Sequence, residues 1–303
     1  DENGINEFAN LLYDKIKNLD EEGLEINVPY SEKLEEIHNN FSKNQKPNTE
    51  TELLNSAWYM FYASNVYHGI DSEKSTEVEW YIPRKKLSYV SYLDSLLSNP
   101  SLINKDEKNL FSQYFLLKKA LQKYRKIQKE GHWKKITIDT TVSSYKIGDS
   151  AAVISQIRTR LFTTNDLSND SKSPLYDKEL SKGILNYKKR RGMLSSSIIT
   201  KSLIEDLNIP ISERIKTIII NMERCRWVSS DIPKSKEFIA INIPSFQLSF
   251  LKNQEEVLNS KVVVGKTMNK TVIFSASMKY IVFSPYWNVP SSILKNEILP
   301  GIA

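Results

Sequence analysis

A change of hydrophobic period late in the chain sets the strongest limit on what it can fold into. Up to Trp227 the apolar residues recur at helical spacing, and after Pro233 they alternate with period 2. In Phe246–Phe250, the side chains of Phe246, Leu248 and Phe250 fall on one face and those of Gln247 and Ser249 on the other. Phe238–Ile243, Lys261–Val264, Val272–Ser275 and Met278–Phe283 also read as strands. Pro244-Ser245 and Lys252–Glu255 supply turns, giving a β-meander that runs almost to the last residue. Helices followed by strands predict an α+β multidomain chain rather than an alternating α/β one. The 303 residues suit two or three domains.

The helical part divides by its punctuation. Residues 1–50 are polar, with a weak helical stretch at Phe8–Ile16. Residues 51–140 read as a helical domain. Leu53, Ala57, Met60, Phe61 and Ser64 share a face that stops at Gly69, and Leu87–Leu97 ends at Asn99-Pro100. The longest pattern is Leu110, Tyr114, Leu117, Leu121 and Tyr124, followed by Gly131. Residues 141–210 hold three short helices. Gly148-Asp149-Ser150 caps the first, Asp177 the second and Thr200 the third, and Gly192 stops the second. Residues 211–303 open with a helix from Ser212 to Trp227, whose face of Ile215, Ile218, Ile219 and Met222 is expected to pack on the β-meander or the three-helix bundle. Strands follow it.

Residue counts exclude several chemistries. One cysteine, Cys225, forbids an intrachain disulfide, and His38, His68 and His132 form no metal-ligand spacing. Apolar runs such as Ile218–Ile220 and Val262–Val264 are too short to span a bilayer. The opening Asp1-Glu2-Asn3 carries no export signal that can be read. Lys and Arg exceed Asp and Glu by 42 to 36, a net +6. Eight basic residues lie in Lys118–Lys135 and four in Lys188–Arg191. Tyr114, Tyr124 and Trp133 accompany the first cluster and suggest nucleic acid, but the tyrosines are needed on the apolar helix face. Solvated helix faces are the favoured account, and no nucleic-acid partner is expected.

Three short motifs also fail. Gly265-Lys266-Thr267 lacks the glycine five positions earlier that a phosphate-binding loop requires, since Ser260 stands there, so it reads as a turn. Gly148-Asp149-Ser150 has no preceding strand to make a nucleophile elbow. Cys225 sits between Arg224 and Arg226, but successive helix residues point apart and no histidine follows His132, so a packed thiol is favoured over a nucleophile.

The last third carries longer signals. They are N-M-E-R-C-R-W at Asn221–Trp227, I-A-I-N-I-P-S-F-Q-L at Ile239–Leu248, and V-V-V-G-K at Val262–Lys266. The tail adds Y-I-V-F-S-P-Y-W-N-V-P at Tyr280–Pro290 and S-S-I-L-K-N-E-I-L-P at Ser291–Pro300. Together they resemble the large multidomain bacterial L,D-transpeptidases with a YkuD-type catalytic domain. Y-D-x-x-L at Tyr176–Leu180, R-G-M-L at Arg191–Leu194 and D-L-N at Asp206–Asn208 are similar to the family's peptidoglycan-binding module. Y-A-S-N-V-Y-H-G at Tyr62–Gly69 and A-L-Q-K-Y-R at Ala120–Arg125 resemble its helical scaffold. Lys188, Ser195–Ser197, Thr271-Val272 and Ser284 depart from the family pattern.

The resemblance implies a helical scaffold domain, a small peptidoglycan-binding-like bundle and the β-rich start of a catalytic domain. It implies 3→3 cross-linking of peptidoglycan stem peptides through a cysteine acyl-enzyme, no cofactor, and a periplasmic or cell-envelope location. The sequence holds no S-H-G-C-x-R motif, and no histidine follows His132 to supply the catalytic domain's His-Gly, so no catalytic residue carries over. The chain is therefore expected to be the front portion of such an enzyme and inactive alone. A non-catalytic wall-binding or scaffolding protein is the alternative. Tyr286, Trp287 and Asn288, between Pro285 and Pro290, are the candidate substrate-binding residues. The prolines predict a stiff turn, whose aromatics either fill the catalytic domain's core or line the cleft for a stem peptide.

Overall fold

The computed structural model describes residues 7–39, 48–84, 86, 88–104, 110–229, 235–266 and 269–302. Asp1–Asn3, Leu87, Pro233 and Thr267 of the sequence reading lie outside that set.

The chain opens with α1 (Glu7–Lys17), where Phe8, Leu12 and Ile16 fall every fourth residue and are buried. A 3₁₀ turn at Leu19–Glu22 closes on Gly23. Then come α2 (Ser31–Asn39) and α3 (Thr49–Ala63), the latter capped by the Asn48 side chain, which accepts from the Glu50 amide. Trp58, Tyr59, Tyr62 and Ala63 of α3 are buried. Beyond it lie α4 (Ser72–Glu77), a two-residue strand β1 (Trp80–Tyr81), α5 (Tyr89–Ser98) and α6 (Gln113–Lys129). The segment 1–50, expected to be polar with a weak helix, thus supplies core: Phe8, Leu12, Ile16, Leu19 and Leu34 join one hydrophobic cluster with α3, Leu121 and Tyr114.

The bundle follows. Strands β2 (Ser144–Tyr145) and β3 (Ile199–Thr200) pair antiparallel beside α7 (Ala152–Thr163), α8 (Lys178–Arg190) and α9 (Lys201–Leu207). Val153, Ile154, Ile157, Leu161, Leu180, Ile184 and Leu203 make its own core. Asp177 and Thr200 cap α8 and α9 as expected, accepting from the Leu180 and Leu203 amides. Gly148-Asp149-Ser150 does not cap α7. Asp149 accepts from the Lys146 amide instead, and Ser150 bridges to Leu175. Where the chain enters and leaves the bundle, the Asn208 amide group straps the two segments together by accepting from Ile136 N and donating to Ile136 O, each at 2.8 Å.

Helix α10 (Ile211–Trp227) returns to the first core. Ile215, Met222 and Cys225 are buried members of the scaffold cluster, and Ile218 and Ile219 pack against it. Gly23, at φ +73, lets the backbone approach Ile219, whose Cγ1 lies 3.2 Å from where a Cβ would sit. The expected packing of this face on the β-meander or the bundle is therefore corrected: it closes the helical scaffold. The bundle is in effect inserted between α6 and α10.

Three antiparallel strands follow, β4 (Glu237–Asn242), β5 (Gln247–Lys252) and β6 (Glu255–Lys261), in the order β4-β5-β6. Ile239, Phe250 and Leu258 stand opposite one another, as do Ile241 and Leu248, so they line one face. Three expectations change here. Phe246 sits in a left-handed turn before β5 rather than in the strand. The third strand is Glu255–Lys261, not Lys261–Val264, because a fully exposed edge strand needs no apolar alternation. Met278–Phe283 forms no strand, and the last residues turn helical at α11 (Ser291–Ile293) and α12 (Leu299–Ile302). A final two-residue strand, β7 (Ile273–Phe274), pairs parallel with β1.

Candidate functional site

Tyr286, Trp287 and Asn288 lie in a segment without regular secondary structure after Ser284, which takes a left-handed φ of 48°. Tyr286 is 99% and Trp287 68% exposed. Among the described residues nothing from 236 to 302 enters either hydrophobic cluster, so neither ring packs into the cores described above. The expected turn out of a strand is corrected, since Met278–Phe283 forms no strand. The surface around them is open and apolar, with Tyr280, Ile281, Val282 and Phe283 all exposed.

The N-M-E-R-C-R-W motif holds the helices together instead of doing chemistry. Arg226 is buried at the centre of the scaffold. Its guanidinium donates to Val66 O at 3.1 Å, Glu22 O at 2.7 Å, the Tyr114 hydroxyl at 3.2 Å and the Glu223 carboxylate at 2.7 Å. Glu22, also buried, accepts from Tyr114 at 2.6 Å and from Lys118 at 2.5 Å. Burial and the neighbouring Glu22 raise the Tyr114 pKa well above its usual range, against the opposing Arg226 charge, so the phenol stays protonated and donates to Glu22. Glu223 also accepts from Ile70 N at 2.7 Å and from the Trp227 indole at 2.8 Å. Three segments far apart in sequence, at Glu22, Val66–Ile70 and Tyr114, thus meet on two side chains of α10. The shallow cleft beside this network, lined by Leu11, Asp14, Asn18, Asn104 and Lys118, has Glu22 in its wall, and that carboxylate is already used.

Gly69 is required at this junction. It ends the turn after α3 at φ +75, and a Cβ there would overlap the Glu223 carboxylate, which three donors hold in place. Gly69→Ala should cost about 2 kcal/mol or more through left-handed strain and the displaced carboxylate. Chemical denaturation checks this, and an unchanged midpoint would contradict the packing.

Cys225 is buried in the scaffold cluster, and burial pushes its thiol up to about 11, only partly opposed by Arg226. That is the reverse of what a nucleophile needs. Of the two basic runs, five of the eight basic residues in Lys118–Lys135 are exposed, as expected of a solvated face, whereas the second makes internal contacts. Arg190 pairs with the buried Asp166 at 2.6 Å, Arg191 and Arg214 pair with Asp206, and Lys188 donates to Ile198 O at 2.9 Å. Arg160, buried without an acid partner, lies 3.8 Å from the Trp133 ring centroid, and burial lowers its pKa to about 10. Sequence reasoning missed these roles because most of the acceptors are backbone carbonyls or distant carboxylates. Among the described residues no group of His, Cys, Asp and Glu could hold a metal.

Residues 236–303 match the model of the L,D-transpeptidase catalytic domain, and residues 1–121 match that of a scaffold domain. A putative L,D-transpeptidase of Haemophilus influenzae is 30% identical over 83 residues, which cover 27% of this chain and 16% of that protein. The chain is similar to the multidomain L,D-transpeptidases. Its catalytic-domain match contains the β4–β6 sheet, β7 and Tyr286–Asn288, and its scaffold match contains α1 to α5 and the first half of α6. Helix α10 lies outside both matched ranges yet completes the scaffold core. The chain spans about a sixth of the length of the curated L,D-transpeptidase it matches, 16%.

Proposed function

We propose that the chain serves peptidoglycan cross-linking as the front portion of an L,D-transpeptidase, with a helical scaffold, a peptidoglycan-binding-like bundle and the start of the catalytic domain. The supporting observation is the catalytic-domain match at 236–303, which carries Tyr286, Trp287 and Asn288 on an open surface. In the reaction a cysteine thiolate attacks the carbonyl of the third residue of a tetrapeptide stem. The amide bond breaks, the terminal D-Ala leaves as the protonated amine, and a thioester remains. A side-chain amine of a neighbouring stem then attacks the thioester, forming the 3→3 amide and restoring the thiol. This needs an activated thiol, a base and oxyanion donors. Cys225 supplies none of that from inside the scaffold core, so the thiolate has to come from a residue outside this sequence.

In this reading Tyr286 and Trp287 offer amphipathic rings and Asn288 an amide to a substrate made of amides and short apolar side chains. The protein works at the cell envelope. No helix among the described residues is long and apolar enough to cross a membrane. The inert setting of Cys225 also favours the second reading, a wall-binding or scaffolding protein without transferase chemistry.

Incubating the 303-residue chain with a carbapenem and measuring intact mass tests the assignment of the thiol. No adduct is expected, and a stoichiometric adduct lost in Cys225→Ala would overturn it. In a protein joining this chain to a complete catalytic domain, Tyr286→Phe and Asn288→Ala should lower cross-linking of tetrapeptide stems at an unchanged melting temperature. Unchanged cross-linking removes the binding role. Absence of cross-linking by that protein favours the scaffolding reading.

A further inference from the structure

Among the described residues, one strand pairing joins the catalytic-domain segment to the helical scaffold. It is the two-residue parallel ladder in which Trp80 faces Ile273 and Tyr81 faces Phe274. The Ile273 amide donates to Glu79 O at 3.1 Å. Glu79 is held at φ +61, where non-glycine residues rarely sit, with its own amide donating to Thr76 O at 2.9 Å. That conformation follows α4 and leads the backbone into β1.

Behind β1 stands a stack of large side chains. The Trp80 ring meets the Trp227 ring edge-on, with centroids 5.1 Å apart and planes at 85°. The Arg84 guanidinium lies 5.6 Å from the Trp227 centroid and donates to the carbonyls of His68 and Ile70. The Trp80 indole N–H is buried without an acceptor, so ring packing alone places that side chain. Trp227 is tied to Glu223 of the same helix. The strand that receives β7 is therefore anchored to the last turn of α10, the helix that closes the scaffold.

We propose that β1 is a latch that holds the catalytic-domain segment in register on the scaffold. A two-residue parallel pair has little stability of its own. Tyr81 and Phe274 remain more than half exposed, so little apolar surface is buried between them. The pairing persists because Trp80, Trp227 and Arg84 fix one strand in advance, and it opens by releasing β7 without disturbing either core. The latch does not depend on the acyl-transfer reading.

Amide hydrogen exchange on the 303-residue chain tests it. A peptide covering residues 271–276 should exchange about tenfold or more slowly than one covering Tyr280–Phe283, which has no strand partner. Trp80→Ala should abolish that difference while α3 and α6 keep their protection. Should Trp80→Ala open the scaffold as a whole, Ile273→Pro decides: it removes the one donor to Glu79 and lies outside both cores. Faster exchange in that variant at Tyr81, whose amide faces the Ile273 carbonyl in this register, supports the latch. Equal exchange of the two peptides in the unaltered chain, or an Ile273→Pro variant with unchanged exchange at Tyr81, overturns it.

Discussion

Replacing Arg226 with alanine should destabilise the protein by about 3–5 kcal/mol, enough to unfold a domain of ordinary stability. The guanidinium is the shared donor for Val66 O, Glu22 O, Tyr114 and Glu223. Its removal leaves two carbonyls without a donor and Glu223 without its countercharge. Arg226→Lys should recover less than half of the loss, because one ammonium cannot span four acceptors that a planar fork reaches together. Urea denaturation followed by circular dichroism measures both. An Arg226→Ala midpoint within experimental error of the unaltered chain would show that this network does not hold the scaffold.

Met222→Ala should cost about 2–5 kcal/mol, because the side chain is completely buried in the scaffold cluster and its loss leaves a cavity. Ile218 lies on the same helix face but is only partly buried, so Ile218→Ala should cost less, about 1 kcal/mol. The ordering is the informative part. If Ile218→Ala proved more damaging than Met222→Ala in thermal melts, α10 would be rotated from the position described.

Helices with a wide apolar stripe were legible residue by residue. Leu110, Tyr114 and Leu121 mark the buried side of α6, and the caps of α8 and α9 follow from single side chains three residues before the amides they bind. Helix α1 reads as weak because Glu7, Asn10, Asp14, Lys15 and Lys17 dilute its short apolar face. Period gave α10 a buried face but not its neighbour. Only tertiary contact tells that Ile215 and Met222 meet α6 and not the β-sheet. Strand β6 left no trace, since an exposed edge is defined by the hydrogen bonds of its partner and not by its side chains. At the candidate site the motifs were visible, but their roles divided: Glu223, Arg226 and Trp227 work inside the scaffold, whereas Tyr286 and Trp287 stand in the open. Backbone carbonyls accept most of the buried arginine hydrogen bonds, and a carbonyl carries no sequence signature.

The claim that α10 belongs to the helical scaffold, with the bundle inserted ahead of it and the catalytic-domain segment outside its core, can be tested with two shortened chains. A chain ending after Ser229 keeps α10, and one ending after Pro210 lacks it. Differential scanning calorimetry of both, beside the 303-residue chain, is the direct measurement. The account predicts that the chain ending at Ser229 melts cooperatively within about 4 °C of the whole. The chain ending at Pro210 should lose the scaffold transition and retain at most that of the bundle. A chain ending at Pro210 that shows the scaffold transition undiminished would contradict the account.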